Sequence, residues 1–131
     1  MTKTELISHW LESADEDAEV MTNLYDKGHY SWALFIAHLV LEKTIKALYV
    51  QNIGPDVPFV HNLLKIARDA KISMNDEQEE FLLEVTAYNI RGRYPDYKKE
   101  FQRTATKEYT GNKIAQIREA RTWLISCINP K

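Results

Sequence analysis

The sequence predicts an all-α protein, an antiparallel up-and-down bundle of four long helices plus one short helix, in a single domain over residues 1–131. Three observations predict it. Apolar residues recur at spacings of three and four along most of the chain. No segment alternates with the two-residue period of a half-buried strand. Glycine and proline gather at a few breaks between the periodic stretches. With 131 residues, 44% hydrophobic and 27% charged, the chain can bury an ordinary globular core.

The first helix is expected from about Thr4 to Tyr25, with Ile7, Trp10, Leu11, Ala14, Ala18, Met21 and Leu24 as its apolar stripe. Thr2 or Thr4 supplies the cap, and Gly28 ends the helix through the left-handed conformation that glycine tolerates. The second begins near Tyr30 or Ser31 and ends before Gly54-Pro55, where Asn52 to Pro58 read as a loop. A short third helix covers about Val60 to Asp69. The fourth starts near Asn75 or Asp76, where Asp76, Glu77, Glu79 and Glu80 suit the positive end of a helix dipole. It is expected to stop at Gly92 and Pro95. Residues 92–110 then read as a long polar, basic connection, a kind of loop that is often functional. The last helix runs from about Asn112 to Ile128, ended by Asn129-Pro130.

Composition excludes several classes. The single cysteine, Cys127, forbids an intrachain disulfide and reads as a small core residue. The N-terminus lacks a signal-peptide core, and charges interrupt every long apolar run, so the reading is a cytoplasmic protein with no membrane partner. The net charge of −2 hides an asymmetry: residues 1–87 hold 7 Lys/Arg against 15 Asp/Glu, and residues 88–131 hold 10 against 4. A basic C-terminal third points to a phosphate-bearing ligand or an acidic partner. Neutralisation between the two halves is the alternative.

The stretch Trp32–Val50, WALFIAHLVLEKTIKALYV, is apolar on nearly every side yet carries His38, Glu42, Lys43 and Lys46. A helix that is apolar all round is normally buried, and charges in it need partners. His38, Glu42 and Lys46 stack at i, i+4, i+8 as one polar ridge. Glu42 and Lys46 stand in the favourable order for an ion pair. The ridge therefore lies at a subunit interface, over a cleft or under a loop. His61 follows Pro58 and Phe59 and opens the short helix. Arg91-Gly92-Arg93-Tyr94-Pro95-Asp96 is the second informative segment: arginine forks bind phosphate and Tyr94 can stack on a base. Asp96 could instead pair with Arg93. Lys98, Lys99, Arg103 and Lys107 extend the positive strip. No cofactor fingerprint, phosphate-cradling glycine loop or nucleophile elbow is present. Metal signatures also fail, since Glu-x-x-His is missing and one cysteine cannot make a zinc site.

Taken in order, Trp10 with Ala14 and Ala18, Gly28-x-Tyr30-x-x-Ala33, Ala37-His38-x-x-x-Glu42-Lys43-x-x-Lys46-Ala47-Leu48, His61-Asn62-Leu63 and Arg91-Gly92-Arg93-Tyr94-Pro95-Asp96 form a pattern that resembles the HEPN domain family over about residues 6–128. The resemblance implies an up-and-down bundle and a homodimer with a groove between protomers. It also implies a minimal nucleotidyltransferase as partner in a two-component, toxin–antitoxin-like system, and a nucleotide or RNA as ligand. Many members of the family are metal-independent ribonucleases with an R-x(4–6)-H motif. Here the histidines stand at 9, 29, 38 and 61 and the first arginine is Arg68, so no histidine follows an arginine and the motif is absent. The expectation is a nucleotide- or nucleic-acid-binding domain without catalytic residues, its ligand site joining His38, Glu42, Lys43, Lys46, His61, Arg91, Arg93, Tyr94 and Asp96. The alternatives are a ribonuclease toxin with a non-standard site built on His61 and Arg93, and a structural dimeric interaction module.

Overall fold

The computed structural model describes residues 1–129 and places six helices in a bundle: α1 (Lys3–Asp26), α2 (Tyr30–Asn52), α3 (Leu63–Asp69), α4 (Asp76–Arg93), α5 (Pro95–Thr104) and α6 (Lys107–Ser126). α2 is the axis, and the other five helices all pack on it. That position explains its composition: Ala33, Leu34, Ala37, Val40, Leu41, Ile45, Ala47 and Leu48 point to different sides and are all fully buried. No described helix is long and apolar enough to cross a membrane.

Local chemistry sets the ends of α1. Thr2 and Glu5 form a reciprocal capping box at its start. At its end Gly28, with φ of 82°, closes a Schellman turn in which Gly28 N–H donates to the Tyr25 carbonyl and His29 N–H to the Leu24 carbonyl. Asn75 and Gln78 repeat the capping box at α4. Cys127 is half-buried beneath α6 and packs on the core, in line with its expected role.

Three boundaries differ from the sequence reading. The short helix begins at Leu63, because Asn62 is the cap and accepts from Lys65 N–H. His61 is thereby left outside the helix. The expected loop 92–110 is largely helical. Gly92 lies inside α4, where a Cβ would come within 3.2 Å of the Phe35 ring, so this glycine serves close helix packing and does not end the helix. Pro95 is at the first turn of α5, where its missing N–H costs nothing, and Phe101 anchors α5 in the core. α6 starts earlier than expected, with Thr106 as its cap. It ends at Ser126, and Pro130 lies outside the described residues.

Candidate functional site

The polar ridge of α2 faces the segment between α2 and α3. His61 is set by anchors on both sides of it: Asn52 Nδ2 donates to the Ala70 carbonyl, and Leu63 N–H donates to Thr86 Oγ1 of α4. Its ring then lies over the ridge. His61 Nδ1 is 2.8 Å from Glu42 Oε1, Lys46 Nζ is 3.0 Å from Glu42 Oε2, and His38 Nε2 is 2.9 Å from the His61 carbonyl oxygen. Both Glu42 oxygens are thus occupied within the cluster.

These contacts assign the protons. A carbonyl can only accept, so His38 carries its proton on Nε2, leaving Nδ1 as a buried lone pair without a partner. Burial pushes the His38 imidazole below its ordinary value of 6.5, prevailing over the bond to the His61 carbonyl and the Glu42 charge, which act the other way, with the His61 ring and Arg93 adding to the depression. Burial pushes the Glu42 carboxyl up, but hydrogen bonds from His61 and Lys46, with the Lys46 charge, prevail and hold it below the ordinary 4.5. Glu42 is therefore a carboxylate and draws the His61 proton to Nδ1. His61 Nε2 is left without a protein partner among the described residues, on a side chain that is 36% exposed.

The nine expected residues separate accordingly. His38, Glu42, Lys46 and His61 come together, but the first three are buried and serve to position His61. Lys46 is further enclosed by Trp10, whose ring its ammonium overlies at 5.3 Å. Lys43 leaves the group: its ammonium is 2.7 Å from both Ser13 Oγ and Asp17 Oδ2 of α1. Arg91 also turns away, over the Phe101 ring at 4.8 Å and toward Thr104 Oγ1. Arg93 overlies the Phe35 ring at 5.7 Å, and no ion pair joins it to Asp96 among the described residues. Tyr94 forms the joint between α4 and α5 and is 52% exposed, with Asp96 exposed in the first turn of α5.

Sequence reasoning missed the aromatic members. Trp32 and Phe35 precede His38 at three-residue steps, on the same stripe of α2, a spacing visible in the chain. Their rings meet edge to face at 6.1 Å, and Lys98 Nζ lies 4.7 Å over Trp32. At the other end Phe59, 95% exposed, meets the His61 ring edge-on at 6.3 Å. Trp32 with Lys98 and Phe35 with Arg93 form one group and His61 with Phe59 a second, with buried His38 between them along α2, its ring 6.2 Å from that of His61. Among the described residues no group of His, Cys, Asp and Glu is placed to hold a metal ion.

The family model of the HEPN domain matches residues 7–127. The chain belongs to the HEPN domain family. Its fold is similar to that in the crystal structure of TT1696 from Thermus thermophilus, with a TM-score of 0.80 and 20% identity over 93% of this chain and 98% of that one. No curated protein matches the sequence significantly. In this HEPN domain the bundle holds a histidine latched by a buried carboxylate.

Proposed function

We propose that this HEPN-family protein binds a nucleotide or a single strand of nucleic acid along the face from Trp32 to Phe59. The alternation of aromatic rings and cations, ending at the open Nε2 of His61, carries this reading. Bases stack on aromatic rings while cations follow the phosphates, and Arg93 offers a planar fork for phosphate oxygens. The family resemblance supplies the wider setting: a homodimer working with a minimal nucleotidyltransferase in a two-component, toxin–antitoxin-like system. Titration calorimetry with ATP and with a ten-nucleotide single-stranded RNA tests the binding. The Arg93→Ala, Lys98→Ala double variant is expected to bind at least tenfold more weakly, with a shallower salt dependence. Affinities within twofold of each other would remove this face as the site.

The His61–Glu42 pair favours a second reading, a metal-independent ribonuclease. Imidazole with Nδ1–H on a carboxylate and Nε2 free is the arrangement of a general base. Nε2 would take the proton of a ribose 2′-hydroxyl, and that oxygen would attack the adjacent phosphorus. The bond from phosphorus to the 5′-oxygen would break, that oxygen leaving as a hydroxyl with a proton from water and a 2′,3′-cyclic phosphate remaining, with Arg93 on the non-bridging oxygens. Labelled RNA incubated with the protein in EDTA tests it. On this reading His61→Ala slows cleavage by about 10²–10⁴. An intact substrate with the wild-type protein rejects catalysis and leaves the binding reading standing.

A further inference from the structure

A second surface lies away from the His61 face, between α4 and α6. The two helices are joined where Tyr88 and Tyr109 bring their hydroxyls to 2.9 Å and Lys113 Nζ sits 2.6 Å from Glu84. Toward the start of α4 they leave an open groove of about 520 Å³. Its apolar floor is Phe81, Ala120 and Trp123, which rest on the core yet stay partly exposed. Its walls include Glu77, Glu80 and Glu119, and no lysine or arginine lines it. Glu79 is taken by Arg68 and Glu84 by Lys113, whereas Glu77, Glu80 and Glu119 make no ion pair among the described residues. The dipole of α4 accounts for an acidic residue at Glu77. It does not account for Glu119, which stands well inside α6.

We infer that this groove is a docking site for an amphipathic helix of another protein, rich in lysine and arginine beside its apolar stripe. Residues 77–84 rise about 10 Å along α4, two turns against which an apolar stripe can lie, as in other helix-in-groove contacts. The free carboxylates on the rims set the charge of the occupant, because a cation there relieves their mutual repulsion and an acidic helix adds to it. A second copy of this chain is a poorer match. Its most basic helix, α6, is itself a wall of the groove, and α5 has buried Phe101 in its own core and exposes Tyr97 as its main apolar contact.

Fluorescence anisotropy with labelled 18-residue peptides tests the assignment on the full chain. One peptide has a leucine stripe flanked by lysines, one replaces the lysines by glutamates, and one keeps the first composition with the stripe scrambled. The lysine peptide is expected to bind at least tenfold more tightly than either control. Glu80→Lys with Glu119→Lys should weaken it at least tenfold while helicity by circular dichroism is unchanged, both side chains being exposed. Arg93→Ala should leave it within twofold, which separates this surface from the nucleic-acid face. Three results overturn the inference: no binding of the lysine peptide, equal binding of the scrambled peptide, or no effect of the charge reversals. A dimer in sedimentation that the charge reversals dissociate would also overturn it, in favour of a second copy as occupant.

Discussion

Glu42→Gln is expected to destabilise the protein by about 3–5 kcal/mol, the usual cost of leaving one partner of a buried ion pair uncompensated. Lys46 would keep a buried ammonium without its counter-charge, and the single amide oxygen could accept from only one of Lys46 and His61, leaving an NH2 group against the other. Thermal unfolding should show a fall in Tm of roughly 10–20 °C. Adding Lys46→Met should restore much of the loss, since an apolar group of similar length suits the site beneath Trp10. A loss below about 1 kcal/mol in urea titrations would mean that the cluster is not a structural latch. The same cluster sets the acid limit. His38 and Glu42 both have folded-state values below their ordinary 6.5 and 4.5. The unfolded chain therefore takes up protons first, and stability falls as pH drops. The His38 contribution is complete above 6.5 and declines below it, and that of Glu42 declines below 4.5. The stabilities of wild type and His38→Gln should diverge most above pH 6.5 and converge as pH falls below it.

Phe101→Ala is expected to cost about 3–5 kcal/mol and to release α5 before the rest of the bundle. Phe101 is fully buried, stacks on Tyr88 at 5.5 Å and lies under the Arg91 guanidinium. No other residue of α5 is buried, so little else holds it. Hydrogen exchange should show residues 95–104 losing protection while α1 and α2 keep theirs. On the proposed binding reading, RNA affinity should fall in parallel, because Lys98 reaches Trp32 only from a docked α5. Wild-type protection of α5 in the variant would show that its anchor lies elsewhere.

Legibility in the sequence followed the reach of the interactions. α1 and α2 were readable to within a residue or so because their periodicity is long and their ends carry local signals, the Thr2 cap, Gly28 and Gly54-Pro55. α5 was not. A proline and a glycine close together ordinarily mark a break, and here Pro95 begins a helix and Gly92 admits Phe35. The Gly92 role depends on Phe35, remote in sequence, and the helix that Pro95 opens is held by Phe101 in the core. The helical start at Lys107 was hidden for a related reason, since the run around it has too few apolar residues to show a period.

The sequence by itself determined the all-α class, the HEPN pattern, the absence of the family's R-x(4–6)-H motif and the polar ridge of α2. Each of these rests on residue identity and spacing along one segment. Only the tertiary structure decided what the ridge does. Lys43 and Arg91 carry the same charge as Lys46 and Arg93, and nothing local separates their roles. Packing turns Lys43 to α1 and Arg91 to α5, buries Lys46 against Glu42, and places Arg93 beside Phe35. It also brings His61, nineteen residues from Glu42, onto the ridge with one ring nitrogen held and the other open. A side chain's identity sets what it can bind, whereas its surroundings in the folded chain set which of its atoms remain free to do so.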